Sequence, residues 1–451
     1  MWDLKIDTRR LVEGFSTSVP WDRPNVLWNK ADDWWNDNYV TDSNTAAFLS
    51  ATGIIDPNKQ NYINNLVIAL KNQGIWNKAK AIYPFVSEQR NLLNYTEDLS
   101  NSYWTKSQII FTGGQSDASG GNNATKCEGS SATNAYIFGS CSTIVGETYT
   151  ASVYIKGDSA GSVSFRVDSG GSSPNNPVNY TTSWQRFTYT YVAGNANSDW
   201  VIGGYNTWTG SETIYVYAPQ LETGSATTSY QPTINAQEQF AAAYKYNLKD
   251  PQDTDAAFRL KIFGTWTFTP TGAKPNGANA YMDTNFLPST SYVNNNTHIS
   301  VYSRTNASVV SACLIGTATN SNAIPLITIY SRDVGYIMDS YSYASNRINT
   351  ISILSSAAFF INSRTSSTVF KSFRNGTQLG ATNTATNSND ITTCNKSMYI
   401  GALNFNGSAA QFSNYEQAFA SIGDGLTDAE AATLYTIVQQ FQTSMGRQIN
   451  P

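Results

Sequence analysis

The chain has 451 residues, enough for two or three domains, and 40% of them are hydrophobic, enough to build sizeable cores. Charged residues make up only 13%, about half the usual globular share of ~25%, and Asn, Thr, Ser, Gly and Tyr fill the difference. The formal net charge is −4 and no run of Lys and Arg occurs, which excludes the clustered basic surface that nucleic-acid binding needs.

The N-terminal residues 1–42 form an aromatic-rich segment without a helical or alternating period. Five of the eleven Trp residues stand here: Trp2, Trp21, Trp28, Trp34 and Trp35. A segment this short cannot bury five indoles alone, so they pack either against the following domain or against another chain. The second alternative makes 1–42 an attachment and oligomerisation arm, with a homotrimer as the expected assembly.

A helix is predicted after this arm. Asp56 is a good N-cap, Pro57 suits the first helical position, and Gly74 suits the end. Between them, apolar side chains at three-to-four spacing make one stripe, formed by Tyr62, Leu66, Val67 and Leu70. The stretch 81–86 then has the composition of a strand.

From about residue 91 the sequence is typical of an all-β domain. The stretches 148–155 and 162–167 alternate with period two, and 184–192 and 213–221 are further predicted strands. Asn- and Gly-rich turns separate them. This spacing indicates a sandwich or a jelly roll.

The two ends of this β-rich stretch carry more specific motifs. The opening Asn91–Ser100 with Tyr103–Thr105, and the close Ala218–Gly224 with Thr228–Thr233, resemble the start and exit of phage-borne carbohydrate-binding-module-like jelly rolls. The resemblance covers about 91–233. It implies a jelly-roll fold with sugar binding as its expected activity.

A second resemblance brackets the first. Its motifs are Ile75–Val86, Lys245–Pro251, Asp255–Leu260, Pro275–Tyr281, Ser303–Thr305 and Ala420–Thr427. Together they resemble a concanavalin-A-like (laminin-G-like) domain common in phage tail and virion proteins. About 150 residues separate the first motif from the second, which predicts a jelly roll inserted into a surface loop of the sandwich.

The predicted fold is therefore mainly β: a concanavalin-A-like β-sandwich with an inserted jelly roll, an aromatic-rich arm and a few peripheral helices. The arm is 1–42, the sandwich is 43–87 plus 239–451, and the inserted jelly roll is 88–238. Two local signals support the sandwich. Asn375-Gly376 is a strong hairpin turn signal, and Thr427 with Glu430 forms a capping box before a helix that ends at Gly446.

The chain shows few signs of catalytic chemistry. His298 is the single histidine, and a structural role is expected because no nucleophile elbow accompanies it. The carboxylates of the sandwich stand apart in sequence: Asp283, Asp333, Asp339 and Glu416. No catalytic residue is predicted, although carboxylates can converge in space and a hydrolase stays an alternative. The four cysteines are too few for a disulfide framework, so free thiols are expected.

A structural Ca²⁺ is one expectation for the jelly roll. The resemblance puts such a site near the jelly-roll opening, where Glu97 and Asp98 stand. The usual acidic partner on the last strand is absent, since Ala218 and Gln220 occupy that stretch. The alternative is that both acids are solvated or cap turns.

Sugar binding needs exposed aromatic faces with polar groups around them. The best stretch is 199–210, and its candidate residues are Trp208 as a stacking platform with Tyr205, Trp200 and Asn206. Packing of Trp208 in a core or interface is an equal alternative. Trp104 and Trp184 fall in the framework of the resemblance and are expected in the core.

These observations predict a bacteriophage structural protein at the virion surface, a fibre or adhesin component that binds host glycans. No stretch approaches ~18 apolar residues and 1–7 lacks a signal-peptide core, so neither membrane insertion nor export is expected. A phage particle fits, because it assembles in the host cytoplasm and leaves by lysis. Its expected partners are copies of itself and other virion proteins. A polysaccharide hydrolase and a purely architectural decoration protein remain alternatives, and head or tail location stays open.

Overall fold

The computed structural model describes residues 41–130, 135–204, 208, 212–307, 312–319, 326–333, 337–342, 347–352, 355–387 and 390–449. The five tryptophans predicted for the arm, Trp2, Trp21, Trp28, Trp34 and Trp35, lie outside these residues. Within them the fold is mainly β, with several sheets of mostly antiparallel strands, as predicted.

The helices lie at the two ends of the described chain and between its β-rich parts. They are α1 (Ser43–Thr52), α2 (Pro57–Asn72), α3 (Ile75–Lys78), α4 (Ala236–Tyr244), α5 (Pro288–Ser291) and α6 (Asp428–Ser444), with 3₁₀ turns at Asp255–Ala257 and Ile391–Thr393. The predicted caps are confirmed. Asp56 accepts hydrogen bonds from the first turn of α2, and Thr427 with Glu430 forms the capping box of α6.

The sandwich has two sheets. The strands of sheet I are β1 (Ala79–Tyr83), β13 (Trp266–Thr269), β14 (Gly272–Pro275), β16 (Thr297–Ser303), β21 (Ala358–Ser366), β22 (Val369–Arg374), β23 (Thr377–Asn383) and β27 (Gln417–Gly423). Their order across the sheet is β13-β14-β27-β16-β21-β22-β23, and β1 also pairs with β27. The turn between β22 and β23 confirms the hairpin signal, since Asn375 and Gly376 both have positive φ, 48° and 74°.

Sheet II has the order β12-β15-β24-β17-β18-β19-β20, with β25 beside β17 and β26. Its strands are β12 (Lys261–Phe263), β15 (Tyr281–Asp283), β17 (Cys313–Ala318), β18 (Leu326–Asp333), β19 (Ile337–Ser342), β20 (Arg347–Ser352), β24 (Tyr399–Ile400), β25 (Leu403–Phe405) and β26 (Ser408–Ala410). A core of buried side chains that includes Val301, Ile315, Phe360 and Ile400 lies between the two sheets. Helices α2 and α6 pack against a second cluster that includes Phe359 and Phe419 of sheet I.

The jelly roll has two five-stranded sheets. Its strands are β2 (Thr105–Ser107), β3 (Ile109–Gln115), β4 (Ala124–Gly129), β5 (Tyr136–Ser142), β6 (Thr148–Gly157), β7 (Gly161–Ser169), β8 (Pro177–Tyr180), β9 (Gln185–Val192), β10 (Asn197–Gly203) and β11 (Thr213–Thr223). The front sheet has the strand order β2-β5-β10-β7-β8, and the back sheet has the strand order β3-β4-β11-β6-β9. One core lies between the sheets. Strands β6, β7, β9 and β11 match the alternating stretches of the sequence.

The strand pairing keeps these two parts apart. Strands β2–β11 occur only in the front and back sheets, whereas β1 pairs with β27 across more than 300 residues of chain. The buried Asn91 side chain ties the start of the jelly roll to its end, donating to the carbonyls of Pro219 and Gln231 at 3.0 Å each. The domain boundaries at 87/88 and 238/239 stay a prediction.

The cysteines and the single histidine are buried. All four cysteines, Cys127, Cys141, Cys313 and Cys394, are free and buried, as predicted. His298 is buried with both ring nitrogens hydrogen-bonded, which confirms a structural placement. Across the described part of the chain, no helix combines the length and apolar character needed to cross a bilayer.

Candidate functional site

The predicted platform residue Trp208 lies in the jelly-roll core. Its side chain is 1% exposed, and its indole Nε1 donates to the carbonyl of Glu212 at 3.1 Å. The ring packs closely on the end of β10: at Gly203 φ is +89°, and an added Cβ would approach the Trp208 ring to 3.0 Å. The exposure that a stacking role requires is therefore contradicted, because the indole lies in the core of the jelly roll.

Trp200 is also a core residue. It is 0% exposed and packs edge-on against Trp104 and Phe165, with 5.5 Å between ring centroids in each case. The cause is strand parity, since Trp200 occupies an inward position of β10. Trp200 is thus corrected from a sugar contact to a packing residue. The other two candidates of this stretch, Tyr205 and Asn206, lie outside the described residues.

The outward positions of the same strands form a different surface. In the register of β5, β10 and β7, Phe138 stands opposite Val201, which stands opposite Arg166. One pair further along, Asp199 lies between Ser140 and Asp168. Because alternate residues of a strand share a face, these side chains all point away from the core. We call this surface the front face.

The front face contains an open cavity of about 370 Å³. It is lined by Tyr136, Phe138, Arg166, Asp168, Asp199, Val201 and Gly204. The Tyr136 and Phe138 rings stack with centroids 6.1 Å apart and planes at 25°. Both side chains are half-buried, so the cavity has an aromatic wall of fixed orientation.

The polar side of the cavity is held by a fork of hydrogen bonds. Arg166, 7% exposed, donates to the Asp168 carboxylate at 2.8 and 3.3 Å and to the Gly203 carbonyl at 2.6 Å. The Asp199 carboxylate accepts a hydrogen bond from the Ser140 hydroxyl at 2.5 Å. Arg166 and Asp168 are thus fixed by each other, and guanidinium and carboxylate groups line one cavity.

Two carboxylates stand directly opposite each other on this face. Asp168 and Asp199 are cross-strand partners in the β7–β10 pair. Like charges in that position are destabilising. An aromatic wall with carboxylate acceptors and guanidinium donors can bind a polyhydroxylated ring, because its face stacks while its hydroxyls donate and accept.

The predicted calcium ligands do not converge. Asp98 accepts from the backbone N–H of Ser100 at 3.0 Å and from its hydroxyl at 2.5 Å. Glu97 accepts from the Asn123 side chain at 3.2 Å, and partial desolvation with the nearby Asp117 carboxylate raises its pKa. The Asp117 carboxylate accepts from Ser119, Gly121 and Asn123, so its oxygens are occupied. These residues do not fit a calcium cradle of six to eight free oxygens.

Among the described residues no group of three or more His, Cys, Asp or Glu side chains is placed to hold a metal ion. On the front face Asp168 and Asp199 stand opposite each other, a pair that was not predicted from the sequence. Their signal was the alternation itself. In Ser164-Phe165-Arg166-Val167-Asp168 the outward positions are all polar or charged, and in Tyr136-Ile137-Phe138 they are both aromatic.

Comparison with known proteins gives likenesses at the level of structure only. No protein-family model matches the chain, and no curated protein matches it. Similar solved structures include a family 4 carbohydrate-binding module, 18% identical, which covers 32% of this chain and 97% of its own with a TM-score of 0.22. A family 61 carbohydrate-binding module solved with β-1,4-galactotriose is 12% identical over 30% of this chain and 100% of its own, with a TM-score of 0.24.

The enzymatically active domain of tailspike protein 4 from bacteriophage CBA120 is another likeness. It is 12% identical, with a TM-score of 0.24, and the match covers 30% of this chain and 21% of the tailspike chain.

Proposed function

We propose that the jelly roll binds a glycan in the front-face cavity. The observation that carries the proposal is the cavity itself, about 370 Å³, with a stacked Tyr136–Phe138 wall facing Arg166, Asp168 and Asp199. Ligand pockets of this size, roughly 300–1,000 Å³, typically combine an apolar wall with a few placed polar groups. A sugar ring satisfies both sides at once.

The glycan assignment rests on how the polar groups are arranged. The carboxylates of Asp168 and Asp199 can each accept two hydroxyl hydrogens, and the guanidinium of Arg166 holds Asp168 in place while bordering the cavity. The aromatic wall faces them across Val201, so a bound ring would stack on one side and hydrogen-bond on the other. No clustered cation is present for a polyphosphate ligand among the described residues that line the cavity.

The test is truncation of the aromatic wall. Tyr136→Ala and Phe138→Ala should each weaken binding of the full chain to host surface polysaccharide about tenfold, by analogy with aromatic platforms that contribute on the order of 1–3 kcal/mol. Tyr215→Ala, a half-buried aromatic on the outer side of the back sheet, is the matched control and should leave binding unchanged. Unchanged binding in both front-face variants would refute the site.

A hydrolase is a second candidate, favoured by one observation. Asp168 and Asp199 face each other across adjacent strands on the proposed glycan face, and paired carboxylates are the machinery of glycoside hydrolysis. We favour binding without turnover, because Asp168 is held in a fork by Arg166 rather than left open to attack a sugar. Release of reducing ends from a bound polysaccharide, abolished by Asp199→Asn, would establish the hydrolase instead.

At the level of the particle, we propose a surface fibre or adhesin component of a bacteriophage virion that is homotrimeric and anchored to other virion proteins through residues 1–42. This part of the proposal rests on the five tryptophans of that segment and on the composition of the chain. Deletion of 1–42 should leave glycan binding intact and abolish trimers and incorporation into particles. Normal incorporation of the shortened chain would contradict the anchor, and a folded chain that binds no glycan would leave a purely architectural role.

A further inference from the structure

The front face carries unequal charge. Among the described residues that border the cavity are two carboxylates and one guanidinium, a formal excess of one negative charge. Arg166 is the one cation among the described lining residues, and its fork is directed at Asp168. The guanidinium charge is therefore largely used within the protein.

Asp199 is the carboxylate that keeps its charge unopposed. The hydroxyl of Ser140 donates to it at 2.5 Å, which orients the carboxylate without neutralising it. In the part of the chain that the structure describes, Asp199 makes no ion pair. It lies in the middle strand of the front sheet, between β5 and β7, so a ligand across the face passes over it.

We infer that the front face discriminates among glycans by charge, with Asp199 as the specificity-determining residue. Neutral sugars bind, and glycans that place a carboxylate, sulfate or phosphate over Asp199 are rejected. This inference rests on the proposed glycan binding and names the ligand class of that same site. An anionic group about 6 Å from Asp199, at an effective dielectric constant between those of a protein surface and water, is repelled enough to lower affinity about tenfold.

The discrimination depends on the charge balance of the front face, which the substitution Asp199→Asn changes. Replacing Asp199 by Asn keeps the side-chain shape and an oxygen that accepts from Ser140, but removes the charge and leaves the Arg166–Asp168 pair as the remaining ionic element. The described lining residues then carry no excess charge. The variant should gain affinity for acidic glycans and keep its affinity for neutral ones.

The experiment uses polysaccharides that differ only in charge. The full chain is immobilised and its binding is measured by biolayer interferometry to hyaluronan, alginate and polygalacturonate and to the carboxyl-reduced form of each, in which every uronate has become a neutral hexose. For each backbone that binds, the reduced form should bind about tenfold more tightly at low ionic strength. The difference should shrink as salt screens the charges.

Variants separate the front face from the net charge of the protein. Asp199→Asn should raise binding of the acidic forms about tenfold and change binding of the neutral forms less than twofold. Glu238→Gln, an exposed carboxylate on α4 and outside the front and back sheets, alters the net charge equally and should change neither.

The possible results distinguish a failure of the charge discrimination from a failure of glycan binding itself. Equal binding of acidic and reduced forms, with both lost in Tyr136→Ala, overturns the charge discrimination and leaves glycan binding standing. Tighter binding of the acidic forms, or a gain in Glu238→Gln equal to that in Asp199→Asn, also overturns it. Absence of binding to all six polysaccharides contradicts the proposed function and the discrimination with it.

Discussion

The two sheets of the jelly roll carry similar polar groups on their outer sides, but only one side is open. The front face presents Arg166, Asp168 and Asp199 around a cavity of about 370 Å³. The outer side of the back sheet presents Arg186 and Glu222, and Glu222 is only 4% exposed. The residue types match, so the difference lies in what covers them.

On the back sheet a segment of the chain itself covers the outer polar groups. The segment after β11 lies over the sheet, where the Thr228 backbone N–H donates to the Glu222 carboxylate at 2.5 Å and the Thr228 carbonyl accepts from Arg186 at 2.8 Å. Gln220 accepts from the Gln231 backbone N–H at 2.8 Å and also contacts Glu222. Burial raises the pKa of Glu222, which is the expected sign for a carboxyl sealed beneath its own chain.

The comparison separates structural polar groups from functional ones. The donors and acceptors on the outer side of the back sheet form hydrogen bonds with each other and with the segment after β11. These hydrogen bonds therefore stabilise the fold. Front-face groups are paired only in part, and two like charges stand opposite each other there. A side chain that is charged, held in place by hydrogen bonds and open to solvent is the better candidate for ligand contact.

The largest effect is expected at Trp208, which lies between the two sheets. Trp208→Ala removes a fully buried indole, and we expect a loss of about 3–5 kcal/mol in the free energy of unfolding, as for other large-to-small core substitutions. Thermal unfolding measures it, and Trp208→Phe serves as the milder control. A loss of glycan binding at an unchanged melting temperature would return Trp208 to the role of an exposed platform and break the comparison.

The second-largest effect is expected at His298, a buried polar side chain of the sandwich. His298 is 1% exposed; its Nδ1–H donates to the Asp424 carbonyl at 2.6 Å and its Nε2 accepts from the Ser421 hydroxyl at 3.1 Å. Burial lowers the pKa of His298 to about 4, from 6.5 in an exposed histidine. The folded protein therefore keeps the ring neutral where the unfolded chain binds a proton.

The lowered pKa of His298 makes the free energy of unfolding fall as the pH falls. Above pH 6.5 the contribution of His298 to stability is present in full, and it falls as the pH drops from 6.5 to about 4, by about 3 kcal/mol in total. Urea unfolding across this range should show that dependence in the parent chain and lack it in His298→Gln. Equal slopes in the two proteins would show that the ring is not sealed.

The third effect tests the back sheet. Glu222→Ala leaves the backbone N–H of Thr228 and the amide of Gln220 without their acceptor, and we expect a loss of about 2 kcal/mol in stability. Glycan binding should not change. Glu128→Ala, a more exposed carboxylate of β4 in a surface ion pair with Lys126, is the control and should lose no more than about 0.5 kcal/mol. Loss of binding in Glu222→Ala would place a ligand on the back sheet.

The fold was largely predictable from local signals. Asp56, Pro57 and the Thr427–Glu430 box fixed two helices, Asn375-Gly376 fixed a hairpin, and alternation identified the long strands of the jelly roll. These signals succeed because a cap or a turn depends on residues within a few positions of each other. The burial of Trp208 does not, since it depends on packing against side chains from strands that are distant in sequence.

The candidate site was less predictable for a related reason. The pattern of each strand shows which residues share a face, but not which strands become neighbours. Strands β5, β7 and β10 lie about 25 to 60 residues apart, and only their pairing brings Phe138, Arg166 and Asp199 together. A turn-rich stretch with two tryptophans attracted attention instead, although large aromatic side chains more often fill a core than line a site.

The smallest effect distinguishes the two front-face carboxylates. Asp199→Asn relieves the repulsion with Asp168 and keeps the bond from Ser140, so the free energy of unfolding should rise by a few tenths to 1 kcal/mol. Asp168→Asn should lower it instead, because the nearly buried guanidinium of Arg166 loses its forked acceptor. Urea midpoints of the two variants measure the difference. Opposite signs would mean that Asp199 is kept at the expense of stability, as expected of a residue retained for ligand selection; a loss of stability in both would assign Asp199 to the structural group with Glu222 and remove the distinction between the two sheets.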